Sequence, residues 1–204
     1  MRWLLVFTAG LSPFLYLIWL GFSDGLGANP VEAITHYTGD WTLRFLLLVL
    51  AITPARWILG WVEPMRYRRM IGLYAFFYAT LHLMTYVVLD LNFDWPELGE
   101  DILKRPYMTV GFTAWLLLVP LAVTSTRKMM RRLGKRWGKL HRLVYLIAIL
   151  GVLHFLWLVK ADLREPLIYA GILAFLLGYR VWRSWSGKQA KVPARPGAAV
   201  RKAG

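Results

Sequence analysis

The 204-residue sequence contains no cysteine. Disulfides, iron–sulfur clusters and thiol catalysis are therefore excluded. Acidic residues are also scarce, 11 against 25 lysines and arginines, which gives a formal net charge of +14. In a water-soluble chain that excess would suggest nucleic-acid binding. Long polar stretches are missing too: 58% of the residues are hydrophobic, and the mean hydropathy is +0.47. Such a composition fits an integral membrane protein with one compact helical domain. The apolar runs lack the period-two alternation of barrel strands. In lipid that leaves helices, which satisfy their own backbone groups. Histidine is the strongest soft-metal ligand remaining, and there are only four.

Six apolar runs are readable, at 4–22, 43–62, 70–89, 106–126, 140–159 and 166–182. Each approaches the ~20 residues that a helix needs to cross a ~30 Å hydrocarbon core. The expected architecture is all-α, a bundle of six transmembrane helices over residues 1–183, followed by a basic disordered tail at 184–204. The first run lacks a small-x-small cleavage site close behind it, so it is expected to be a retained helix rather than a signal peptide.

Charge alternates sharply along the connections. With the N-terminus in the cytoplasm, only Arg44, Lys104, Arg105, Lys160 and Arg164 of the basic residues lie outside, and only Glu63 of the acids lies inside. The positive-inside rule then puts both termini in the cytoplasm. The basic loop 127–142 is read mainly as this topology signal, in contact with anionic lipid. Asp40 reads as the N-cap of the second span, which leaves His36 in the first outer loop.

His82 and His154 lie deep inside runs three and five. Ionisable groups at membrane depth are costly and mark functional sites by default. Both lie about 13 or 14 residues past the same side of the membrane, or ~20 Å along a helix, so their rings belong at one level. Two imidazoles at matched depth can grip a haem iron from both sides. Interhelical hydrogen bonding and proton relay are the other readings. Gly151, one turn before His154, would let a flat macrocycle approach, and Phe76, Phe77, Tyr78, Phe155 and Trp157 could line it. His141 lies 13 residues before His154, roughly 220° around an ideal helix. The two therefore do not share a face, and a second stacked haem does not follow from geometry.

The combination of Asn29-Pro30-Val31-Glu32, Thr38-Gly39-Asp40-Trp41, Leu50-Ala51-Ile52-Thr53-Pro54, Arg68-Arg69-Met70-Ile71-Gly72-Leu73-Tyr74, Lys104-Arg105-Pro106-Tyr107, Thr124-Ser125 and Trp137-Gly138-Lys139-Leu140-His141-Arg142 resembles the MsrQ family, formerly YedZ. The resemblance covers nearly the whole chain. It implies a ferric-reductase-like transmembrane domain carrying haem b and FMN. Electrons would come from the quinone pool or a cytosolic flavin reductase and go to MsrP, a periplasmic molybdopterin methionine-sulfoxide reductase. Two-haem relatives carry two histidines on each of two helices. His141 and His154 match one such pair, but beside His82 the expected partner position holds Arg68.

The resemblance therefore implies His82 and His154 as haem ligands, with His141 as a further candidate. It leaves Arg68 and His141 as an inner-leaflet station for FMN or haem, because one step across a ~30 Å core is too long for useful tunnelling. Sulfoxide chemistry is expected on the partner, with loops 23–40 and 92–105 as its docking surface. A stand-alone ferric or quinone reductase is the first alternative. A non-redox transporter or assembly protein is the second, faintly suggested by Pro54 and Pro120 inside spans.

Overall fold

The computed structural model describes residues 2–159 and 162–189. It is all-helical among those residues. The helices are α1 (Arg2–Phe22), α2 (Pro30–Leu59), α3 (Arg68–Thr85), α4 (Trp95–Lys104), α5 (Pro106–Val123), α6 (Arg127–Leu133), α7 (Lys135–Leu140), α8 (Leu143–Leu158) and α9 (Arg164–Gln189). A 3-10 turn, Glu63–Arg66, leads into α3, and a π-helical turn, Tyr86–Asp90, ends it. Five segments are long and apolar enough to cross a membrane: Arg2–Phe22, Pro30–Leu59, Arg68–Asp90, Pro106–Val123 and Lys135–Leu158. The sixth expected span lies within α9, which is not among those five. This helix continues through Ser184 to Gln189. The rest of the expected tail, 190–204, lies outside the described residues.

The second helix begins 13 residues earlier than the hydropathy suggests. Asn29 caps it, with its side chain accepting from the Glu32 N–H, and Pro30 occupies the first turn, where it sacrifices no hydrogen bond. The expectation that Asp40 caps this helix is thus overturned: Asp40 sits three turns inside α2, 3.4 Å from Arg44 one turn on. His36 is on the same helix, not in a loop. The helix ends at Gly60, whose φ of 71° supplies the left-handed cap. The short surface helix α4 uses the same grammar, with Asp94 capping the Glu97 N–H and Pro96 in the first turn.

Two hairpins form the heart of the bundle. α2 packs along α3, and α5 packs along α8. The indole of Trp115 on α5 donates to Thr80 Oγ1 on α3 at 3.1 Å, tying one hairpin to the other. α1 lies against α3 through tyrosine hydroxyls. Tyr74 donates to the Phe7 carbonyl at 2.7 Å. Tyr78, fully buried, inserts its hydroxyl into the α1 ladder, donating to the Gly10 carbonyl and accepting from the Phe14 N–H, both at 3.0 Å. Gly10 is required there, since a Cβ would stand 2.1 Å from the Tyr74 ring.

Pro54 interrupts the ladder of α2 and leaves the Leu50 carbonyl without its helical donor. Arg180 of α9 supplies one, hydrogen-bonding both the Leu50 and Leu176 carbonyls while its guanidinium lies 5.5 Å from the Tyr145 ring centre. Arg180→Met should therefore destabilise the protein by about 1–3 kcal/mol, the cost of stranding a buried acceptor. Pro54→Ala restores an N–H at that point, so it should suppress much of the loss. Thermal unfolding of the two single variants and the double variant in detergent checks this. Strictly additive effects would remove the proline-gap role.

Candidate functional site

Between the two hairpins lies a cavity of about 390 Å³. Its deeper wall is apolar, with Leu46, Ala79, Ala114, Leu118 and Ile147. Its mouth is polar and is lined by Asn29, Glu32, His36, Asp40, Asp90 and Arg105. Leu98 and Ile102 of α4 roof one side.

His82 and His154 face each other across this space, with ring centres 6.0 Å apart and planes at 83°. Each ring is clamped from behind in the same way. His82 Nδ1 lies 2.9 Å from the Thr35 carbonyl on α2, and His154 Nδ1 lies 2.7 Å from the Tyr107 carbonyl on α5. A carbonyl can only accept, so Nδ1 carries the proton in both neutral rings. The Nε2 lone pair is therefore the free one, and a carbonyl bound to the far nitrogen orients such a ring and raises its basicity.

A glycine makes each clamp possible. A Cβ on Gly39 would stand 3.2 Å from the His82 ring, and one on Gly111 would stand 2.6 Å from His154 Nδ1. The two clamps are copies of one motif. Thr35, Gly39 and His82 recur as Tyr107, Gly111 and His154, each 72 positions later, with 47 residues from carbonyl to histidine in both. Both halves run in the same direction, so the site has an internal pseudo-twofold axis along the bundle. Its only trace in the sequence is an equal Gly-to-His spacing in each half, 43 residues from Gly39 to His82 and from Gly111 to His154.

Two imidazoles that share one metal ion axially need ring centres roughly 6 Å apart, given metal–nitrogen bonds of about 2 Å. The observed spacing meets that requirement.

The family of ferric reductase like transmembrane components matches residues 38–152, more than half of the chain. That stretch contains both glycines and His82 and stops just short of His154. A Xanthomonas euvesicatoria pv. vesicatoria protein is 58% identical over 191 residues, covering 91% of this chain and 88% of its own length. A Rhodospirillum rubrum protein is 61% identical over 180 residues, covering 86% of this chain and 85% of its own. Both are named protein-methionine-sulfoxide reductase heme-binding subunit MsrQ. The chain belongs to the MsrQ family. No solved structure matches it.

The other sequence-derived residues of this MsrQ-family chain fall elsewhere. His141 is in the turn between α7 and α8. Its ring stacks on Trp137 at 3.8 Å, and Nδ1 lies 3.1 Å from the Trp137 carbonyl. Its Nε2 is buried and has no hydrogen-bond partner among the described residues. It does not line the cavity, nor does Arg68, the partly buried first residue of α3. His36, expected in an outer loop, instead reaches the cavity mouth because α2 starts early.

Of the aromatic residues expected to line a macrocycle, only Phe155 does so. Tyr78 is consumed by α1, Phe76 and Phe77 pack against the core, and Trp157 is exposed. Gly151 lines the cavity and also admits Leu43 of α2, whose side chain would meet a Cβ there at 3.1 Å.

Proposed function

We propose that this chain is the haem b electron-transfer subunit of a methionine-sulfoxide reductase system, in which His82 and His154 would hold the haem. The observation that carries the reading is the pair of opposed, singly clamped imidazoles at 6.0 Å. The residues fit the group. The Nδ1 contacts leave both Nε2 lone pairs free, two glycines give the rings room, and the cavity is apolar in depth and polar at its mouth, as haem is at its two ends. Held there by His82 and His154, haem would supply a one-electron carrier rather than an oxygen-binding centre.

The protein's own part is electrostatic and geometric. The Thr35 and Tyr107 carbonyls hold each ring in its ligating tautomer and resist ring rotation. The depth of the cavity is apolar, and surroundings of this kind tune redox potential.

In this reading six helices cross the bacterial inner membrane, α9 being the sixth, and both termini face the cytoplasm. The cavity mouth then faces the periplasm, where a molybdopterin partner of the MsrP type receives electrons and carries out the sulfoxide chemistry. Quinol or a cytosolic flavin reductase supplies them. His141 and Arg68 mark the inner-leaflet end, where FMN or a second haem would provide the other station, and the unpartnered His141 Nε2 supports a ligand there.

The test is a dithionite-reduced minus oxidised spectrum of the detergent-purified protein, with haem and flavin counted per chain. A low-spin b-type α-band at one or more haems per chain is the expected result. Colourless, folded protein would overturn the reading in favour of transport or assembly. Reduction of ferric chelates or quinones by the chain alone, with no partner, would identify a stand-alone reductase.

A further inference from the structure

Among the described residues one arginine lines the cavity mouth, and it is held in place by a device of its own. Arg105, between α4 and α5, lines the cavity. Its Nε lies 3.0 Å from Asp101 Oδ1. The Asp101 side chain is only 10% exposed, and its other oxygen accepts a short hydrogen bond from the Tyr86 hydroxyl at the end of α3. Arg105 is thus fixed through Nε by a carboxylate that is itself anchored on the opposite hairpin. The guanidinium also stands beside the Tyr107 side chain, and its planar fork has further Nη donors to offer, in the geometry that suits a second carboxylate.

The remaining charges at the mouth are accounted for. Asp40 faces Arg44 at 3.4 Å. Glu32 accepts from Asn29 at 2.9 Å and lies 3.8 Å from His36. Asp90 is exposed. The pseudo-twofold axis does not repeat Arg105, since the position 72 residues earlier is Ala33. The cation therefore belongs to one half only.

We propose that Arg105 is the anchor for a propionate carboxylate of the bound macrocycle, with Asp101 and Tyr86 as its positioning residues. This rests on the haem reading above. Haem has an apolar edge and a two-carboxylate edge, and the cavity has an apolar depth and a mouth with Arg105 in it. The carboxylate edge therefore points to the mouth, on the side of α5. A neutralised carboxylate favours the ferric state less than a bare one does, so the anchor raises the reduction potential.

The experiment compares the wild-type holoprotein with Arg105→Gln and Arg105→Lys. Haem release to an excess of a haem-scavenging apoglobin is timed, and the midpoint potential is measured by redox titration. Arg105→Gln should keep the low-spin spectrum but release haem roughly tenfold faster, the size of one charge-assisted hydrogen bond, and its midpoint should fall. Arg105→Lys should recover part of both. Loading with haem dimethyl ester completes the cycle: the wild type should release the ester at the rate at which Arg105→Gln releases haem, and the variant should treat the two alike.

Unchanged release and potential in Arg105→Gln overturn the proposal. So does equal discrimination against the ester by the wild type and the variant, because a loss that comes only from freeing Asp101 would strike haem and ester equally. Wild-type protein that binds no haem instead overturns the functional reading itself.

Discussion

His82→Gly and His154→Gly should each abolish the low-spin haem spectrum, and millimolar imidazole should bring it back. Each ring has its Nδ1 engaged and its Nε2 lone pair free, so loss of either would remove one of the two residues that would hold the haem. The variants should nevertheless fold. The carbonyls that clamp the rings, Thr35 and Tyr107, lie inside α2 and in the first turn of α5. Each stands four residues before a glycine, whose N–H addresses it in the helical ladder. Removing the histidine therefore strands no buried acceptor. It opens a space of imidazole size behind which the clamp persists, and added imidazole can occupy it. A variant that keeps a six-coordinate low-spin spectrum without imidazole would remove that histidine from the site.

Gly111→Ala should be nearly as damaging, and Gly39→Ala much less so. A Cβ at Gly111 would stand 2.6, 2.8 and 3.1 Å from three atoms of the His154 ring. The ring cannot retreat without giving up its 2.7 Å bond to the Tyr107 carbonyl one turn away. Overpacking of this kind costs about 1–3 kcal/mol, and here it falls on ligand geometry. Haem per chain should drop severalfold or more. At Gly39 the nearest ring atoms of His82 would be 3.2 Å away, so a shift of a few tenths of an ångström suffices. That variant should retain haem, with only a small change in the electron paramagnetic resonance of the ferric form. Haem-to-protein ratios of the two purified variants provide the measurement. Equal and full loading in both would show that the glycines are not the cradles of the two rings.

The contrast between these glycines was beyond sequence reasoning, and the cause is instructive. Gly151 is the glycine that the sequence places beside His154, one turn away on the same helix. The residues that make room for the rings are on the facing helices, α2 and α5, and proximity across a helix pair leaves no local pattern. Aromatic residues misled for a related reason. Tyr78 is on the helix that carries His82, but its hydroxyl is used to complete the backbone of α1 beside Pro13.

The first half of α2 was hidden differently. Residues 30–42 include Glu32, Thr35, His36, Thr38 and Asp40, and they resemble a polar loop. They form a helix because several of them face the cavity mouth, where polar groups carry no lipid penalty. Hydropathy averages over both faces of a helix and so cuts this one short.

The sequence by itself determined the membrane class, the helical fold, the family and the matched depth of His82 and His154. Each of these follows from runs of residue type along one chain, and lipid enforces such runs strongly because its backbone and charge penalties are large. The tertiary structure alone decided the tautomer of each ring, the glycine that each ring rests against, the early start of α2 with His36 at the cavity mouth, and the pairing of Arg180 with the carbonyl freed by Pro54. Those features depend on atoms from segments 47 to 130 residues apart meeting within about 3 Å. Contacts at that range are fixed by how helices pack, which composition and periodicity do not record.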